Sequence, residues 1–81
     1  MPDMEAIGMK QETGWMLLGT VTHSLGDKYA IWHKIYFEDG IVDLVLFQLT
    51  KGDIPVEFGG YYNLYRALSL KGLYLKDVTL C

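Results

Sequence analysis

Residues 28–49 read KYAIWHKIYFEDGIVDLVLFQL, and this stretch decides the fold. Two runs that are rich in β-branched and aromatic residues, which favour strands, lie on either side of Asp39-Gly40. Asp-Gly is among the strongest signals for a two-residue hairpin turn, because both positions tolerate a positive φ. The stretch therefore predicts an antiparallel hairpin of strands 28–37 and 41–49.

A third run of the same kind, residues 15–23, lies upstream of this hairpin. Gly26-Asp27 separates it from the next strand, and Gly in the first position of a two-residue link suits a type II′ turn. The three runs together predict an antiparallel meander.

The residues after the meander predict a connection, a helix and a last strand. Residues 50–60 contain Gly, Asp and Pro at a density typical of a long connection. In residues 61–71, Tyr61, Leu64 and Leu68 recur at helical spacing, and Gly72 follows where a glycine commonly ends a helix. Residues 73–80 alternate loosely and predict a short fourth strand. The predicted fold class is α+β, in the order β-β-β-α-β, with one helix on one face of the sheet.

The length of 81 residues predicts one small domain. Residues 1–13 are mostly polar and predict an N-terminal arm, whereas residues 14–81 predict a single α+β domain. With 51% hydrophobic and 21% charged residues, the composition is that of an ordered globular protein.

Two tight turns would also set the register of the meander, and with it the two faces of the sheet. In that register Leu25 lies opposite Lys28, and Glu38 lies opposite Ile41. The predicted aliphatic face comprises Met16, Leu18, Thr20, Ile31, His33, Ile35, Phe37, Val42, Leu44, Leu46 and Gln48. The predicted aromatic face comprises Trp15, Leu17, Val21, His23, Trp32, Lys34, Tyr36, Asp43, Val45, Phe47 and Leu49.

A single helix can cover only one of these faces, and the aliphatic face is the expected core. The aromatic face then needs another cover, because the apolar area of these side chains would exceed that of the largest exposed patch on a typical monomer. Met4, Ile7 and Met9 of the N-terminal arm offer one cover, and a partner protein or a second copy offers another. Aromatic residues surrounded by polar ones are typical of interface hot spots. The candidate partner-binding residues are Trp15, Val21, Trp32, Lys34, Tyr36, Asp43 and Phe47.

These observations predict a small non-enzymatic protein-interaction module: an inhibitor, an adaptor or a self-associating subunit, with a homodimer expected. The alternative is a module that stacks a planar small molecule or single-stranded nucleic acid on its rings, with Lys34 as the cation. Against nucleic acid, the net charge is −3 and the seven Lys and Arg residues are dispersed along the chain.

Catalytic, metal and cofactor sites are not predicted. His23 and His33 fall on opposite faces in the predicted register, where Ala30 lies opposite His23 and Thr20 offers His33 a hydrogen bond. An enzyme with a site around His23 or His33 is the remaining alternative.

The N-terminal sequence lacks the pattern of a secretory signal, and no run approaches the roughly 20 apolar residues of a membrane span. Cys81 has no second cysteine to pair with. We therefore expect a cytoplasmic protein with no membrane partner.

Overall fold

A computed structural model of the chain describes residues 10–81. Its elements are β1 (Lys10–Glu12), β2 (Met16–Thr22), β3 (Lys28–Glu38), β4 (Ile41–Lys51), β5 (Ile54–Gly59), α1 (Tyr61–Leu70), a 3₁₀ turn (Leu75–Asp77) and β6 (Thr79–Leu80). The predicted α+β class is confirmed. Within these residues the sheet has six antiparallel strands, however, whereas the sequence predicted a three-stranded meander and one short strand.

The strands lie in the order β5-β4-β3-β2-β6, and β1 pairs with β3 beyond the end of β2. The hairpin of β3 and β4, with 11 residues in each strand, is the longest feature of the sheet. The molecule measures 54 × 21 × 19 Å, and its radius of gyration of 15.3 Å exceeds the roughly 12 Å of a compact domain of this length. One end of the hairpin therefore extends beyond the helix.

The Asp39-Gly40 turn is confirmed, with φ angles of 55° and 79°. Glu38 lies opposite Ile41 as predicted, but a bulge then shifts the register. Asp43 is the unpaired extra residue, since Val42 lies opposite Phe37 and Leu44 lies opposite Tyr36.

The predicted partners beyond the bulge are therefore wrong. Trp32 lies opposite Gln48 and not Phe47, and Ile35 lies opposite Val45 and not Leu44. The bulge leaves charged Asp43 out of the pairing. Beyond it, each residue of β4 lies on the opposite face of the sheet from the one predicted.

The predicted two-residue turn at Gly26-Asp27 is wrong, because residues 23–27 form one longer loop. The N–H of His23 donates to the carbonyl of Asp27 at 2.7 Å, and the N–H of Gly26 donates to the carbonyl of His23 at 2.8 Å. In this loop Nδ1 of His23 also accepts a hydrogen bond from the N–H of Leu25 at 3.0 Å. As a result, Val21 lies opposite Tyr29 and not opposite Trp32.

The predicted connection at 50–60 is also wrong, because it contains β5. The two-residue turn here is Gly52-Asp53, in which Gly52 has a φ of 62° and Lys51 lies opposite Ile54. Pro55 is tolerated because β5 is an edge strand, where a missing N–H leaves no ladder bond unmade.

The predicted helix is confirmed as α1, and so is the glycine that ends it. Gly72 has a φ of 74°, and its N–H donates to the carbonyl of Ser69 at 2.9 Å. The N–H of Leu73 donates to the carbonyl of Leu68 at 2.9 Å, which completes a Schellman motif. Of the predicted strand at 73–80, only Thr79–Leu80 forms a strand, β6, which pairs with Gly19 and Thr20 of β2.

Strand β1 lies in the segment that was predicted to be an arm without regular structure. Glu12 lies opposite Tyr36, and the next residue, Thr13, holds the chain to β3. The N–H of Thr13 donates to the carbonyl of Ile35, and Oγ1 of Thr13 accepts from the N–H of Ile35, both at 3.1 Å. The prediction that Met4, Ile7 and Met9 cover a sheet face concerns residues outside those that the structure describes.

The core lies between α1 and one end of the sheet. Ile31 and Leu49 lie opposite each other in the ladder, and both are almost fully buried together with Leu68 of α1. The buried hydrophobic residues of the described chain are Val21, Tyr29, Ile31, Leu49, Leu64, Ala67, Leu68 and Leu73. This core mixes the two predicted faces, since Ile31 was assigned to the aliphatic one and Val21 and Leu49 to the aromatic one.

We predict that Gly19→Ala lowers the free energy of unfolding by about 1–3 kcal/mol, because the chain approaches this glycine closely. A Cβ there would lie 2.6 Å from the carbonyl oxygen of Thr79 and 2.9 Å from Cγ1 of Val78. Urea denaturation measures the change. Thr22→Ala, at an exposed position of the same strand, is the control and should stay within about 0.5 kcal/mol of the parent. Equal changes in the two variants would contradict close packing of β6 on β2.

Candidate functional site

The sheet has a helix face, on which α1 packs, and an open face on the other side. Residues opposite each other in an antiparallel ladder share a face, so the pairing assigns side chains to each side. The open face carries Ala30, Trp32, Lys34 and Tyr36 of β3, Leu44, Leu46, Gln48 and Thr50 of β4, and Phe58 of β5. No helix among residues 10–81 covers this side.

Trp32 lies at the centre of the open face. Its indole N–H donates to Oγ1 of Thr50 at 3.0 Å, and Thr50 is itself buried. The bond satisfies both polar groups and restricts the rotation of the ring. Next to the indole is a shallow depression of about 280 Å³. It is lined by Trp15, Trp32, Gln48, Thr50, Gly52, Asp53 and Pro55.

Trp15, the residue before β2, extends the aromatic surface toward β5. Its ring meets the ring of Phe58 edge to face, with centroids 5.8 Å apart and an interplanar angle of 72°. Phe58 is 56% exposed, so the pair presents a broad apolar surface to solvent. Edge-to-face packing also holds each ring in one orientation.

Lys34 is enclosed by the groups around it. Its Nζ lies 4.9 Å from the ring centroid of Trp15 and 5.8 Å from that of Tyr36. The same atom lies 3.6 Å from Oε1 of Glu12, and the Lys34 side chain is only 19% exposed. The cation thus links two rings and is partly neutralised by a carboxylate.

Four of the seven predicted partner-binding residues meet on the open face: Trp15, Trp32, Lys34 and Tyr36. Val21 lies in the core instead, at 2% exposure. Phe47 lies on the helix face, where its ring packs against that of Tyr61 at 6.2 Å.

Asp43 is exposed at the bulge, on a stretch of β4 that pairs with no second strand among the described residues. The longer first loop and the bulge account for all three displacements, because each shifts a strand relative to the predicted register.

The sequence prediction missed Gln48, Thr50 and Phe58 at this site. Gln48 was assigned to the other face, and the other two were assigned to the predicted connection. The Gly52-Asp53 dipeptide is the signal that could have revealed β5, since the same dipeptide was interpreted as a turn at Gly26-Asp27.

Neither histidine joins Trp32 on the open face. His23 belongs to the first loop, and His33 lies opposite Met16 and Phe47 on the helix face. The predicted bond from His33 to Thr20 is wrong, because Thr20 lies opposite Ala30. Within residues 10–81, no group of three His, Cys, Asp or Glu residues could hold a metal ion.

Comparison with protein-family models, with curated proteins and with solved structures gives no match for this chain. In the part of the chain that the structure describes, no helix is both long and apolar enough to cross a membrane.

We predict that Thr50→Val lowers the free energy of unfolding by about 1–2 kcal/mol, since it removes the acceptor for the Trp32 indole and keeps the side-chain shape. Thr22→Val is the matched control, because Thr22 is an exposed residue of β2. Its stability should stay within about 0.5 kcal/mol of the parent. Urea denaturation of both variants measures the difference, and equal stability of the two would argue against the bond.

Proposed function

We propose that this protein is a small non-enzymatic interaction module that docks the open face of its sheet onto another protein or onto its own copy. Such a module acts as an inhibitor, an adaptor or a subunit of an assembly. The observation that carries the proposal is the cluster of Trp15, Trp32 and Phe58 on a face that no described helix covers.

The cluster has the chemistry of an interface centre. Tryptophan and tyrosine bury large areas with few rotatable bonds, and they are enriched among residues that dominate binding energy. The contacts with Thr50 and Lys34 hold the rings in place before a partner arrives, which reduces the entropy lost on binding. Gln48 and Asp53 supply polar groups at the depression, as is typical of an interface rim.

Stacking of a planar small molecule or of single-stranded nucleic acid on the same rings is the alternative function. Lys34 is the cation nearest the rings, yet it already pairs with Glu12. The net charge of −3 also disfavours a polyanion. Protein docking is therefore the preferred function.

An enzyme with a site around His23 or His33 is the weakest alternative. His23 uses its ring nitrogen to close its own loop, and His33 lies opposite two apolar residues. A cytoplasmic location is likewise part of the proposal, and the single cysteine and the lack of a secretory-signal pattern support it.

We predict that Trp32→Ala abolishes partner docking while the fold survives, because the indole is the central anchor. The test introduces a photo-cross-linking amino acid at position 36 on the open face and, as a control, at Leu25, which is 84% exposed in the first loop. Position 36 should label a partner that position 25 does not, and Trp32→Ala should remove the label. Circular dichroism verifies that each variant is folded. Undiminished labelling in folded Trp32→Ala would place the interface elsewhere.

The salt dependence of binding distinguishes protein docking from nucleic-acid binding. Docking through apolar rings should change little between low and high salt, whereas binding to nucleic acid should weaken steeply as phosphate counterions compete. Titration with a single-stranded oligonucleotide, followed by tryptophan fluorescence, should show no binding even at low salt. Salt-sensitive quenching there would overturn protein docking in favour of the nucleic-acid alternative.

A further inference from the structure

Within residues 10–81 the helix face is only half covered, because α1 packs against the end of the sheet that contains the core. Beyond Phe47 the same face continues along the projecting hairpin and β1. We call this part the bare ribbon. Its residues are Gln11, Met16, His33, Ile35, Phe37, Val42 and Val45. None of them belongs to the buried core.

The bare ribbon differs sharply from the open face directly behind it. The bare ribbon contains no acidic or basic residue apart from His33. The corresponding rows on the open side carry Lys10, Glu12, Lys34 and Glu38. The charged side chains of the projecting hairpin therefore lie on its open side, beside Tyr36, Leu44 and Leu46, and the uncharged side is the one that continues the core.

Tyr61, the first residue of α1, lies at the boundary between the covered part of the helix face and the bare ribbon. Its ring packs edge to face on Phe47, yet it is 57% exposed. Tyr65 lies one helical turn further along and is exposed on the same flank. The helix thus presents an aromatic flank next to an apolar strand surface that it does not reach.

We infer that a second copy of this chain occupies the bare ribbon, with the two copies packed helix face to helix face about a two-fold axis. Each α1 would then lie on the bare ribbon of the other copy, beside the α1 of that copy. In a two-fold interface both copies use the same surface, which must therefore be complementary to itself. Here the surface of each chain contains one helix and one uncovered strand area on which the helix of the other copy can pack.

The dimensions fit this arrangement. The ten residues of α1 span about 15 Å, and the strand from residue 33 to residue 38 spans about 20 Å. Three strands at their usual spacing make the bare ribbon about 14 Å wide, enough for one helix. Covering it in both copies, together with two helix flanks, removes on the order of 1,000 Å² from solvent, which is the area that a specific interface needs.

The test uses the full-length chain and measures its mass by light scattering and sedimentation over a wide range of concentrations. The parent should dimerise reversibly. Ile35→Lys places a charge on the bare ribbon and should raise the dimer dissociation constant about tenfold or more. Leu44→Lys, on the open side of the same hairpin, is the matched control and should leave it unchanged.

The two-fold arrangement also predicts a rescue. Tyr65→Glu should weaken the dimer by itself, because it charges the flank that meets the bare ribbon. Mixed with Ile35→Lys, it should form a heterodimer tighter than either homodimer, since the new charges face each other across the interface. Circular dichroism shows whether each variant keeps its fold.

Several outcomes would overturn this inference. A parent chain that stays monomeric at all concentrations is one. A dimer that Leu44→Lys or Trp32→Ala disrupts and Ile35→Lys does not would assign the contact to the open face. A monomer that becomes a dimer only after deletion of residues 1–9 would assign the bare ribbon to that segment. The docking function proposed above concerns the other face, so loss of cross-linking in Trp32→Ala would still support it in each case.

Discussion

The register between β3 and β4 is the constraint on which the rest of the structure depends. The turn at Asp39-Gly40 starts the pairing, and the bulge at Asp43 shifts it by one residue. Without the shift, Ile31 would lie opposite Gln48, and a polar amide would sit beneath α1. With it, Ile31 lies opposite Leu49, both are buried, and Gln48 moves to the open face. One extra residue in one strand thus separates an apolar core from a mixed aromatic and polar surface.

The second determinant is a mismatch of lengths. A tight turn joins two strands of 11 residues each, whereas α1 has 10 residues and rises less than half as far per residue. The helix can therefore bury only one end of the sheet, and the projecting end keeps its apolar side. The bare ribbon follows from this mismatch, whereas the aromatic cluster is exposed because α1 packs on the other face of the sheet.

The sequence correctly predicted the elements that depend on the conformational preferences of neighbouring residues. The strands at 15–23, 28–37 and 41–49, the Asp39-Gly40 turn, and the helix that ends at Gly72 were all visible in the sequence. Strand β5 was missed because Gly52 and Pro55 were interpreted as breakers, although Gly52 forms the tight turn before the strand and an edge position tolerates Pro55. The first hairpin was misplaced because His23 closes a longer loop through its own ring nitrogen, which no dipeptide pattern reveals. The longer loop moved Val21 to the helix face and the bulge at Asp43 moved Phe47 there, whereas a second bulge between Leu17 and Gly19 keeps Trp15 on the face of Trp32.

By itself the sequence determined the kinds of element, their order, the sharp turn at Asp39-Gly40 and the end of the helix, because each depends on the φ preference or the spacing of neighbouring residues. Only the tertiary structure decided which side each strand residue faces. Alternation has a period of two, so a single bulge exchanges the faces, and strands that are apolar on both sides carry no local pattern to reveal the exchange. The choice is made by packing against Leu64 and Leu68 of α1, which lie far along the chain from the strands that they cover.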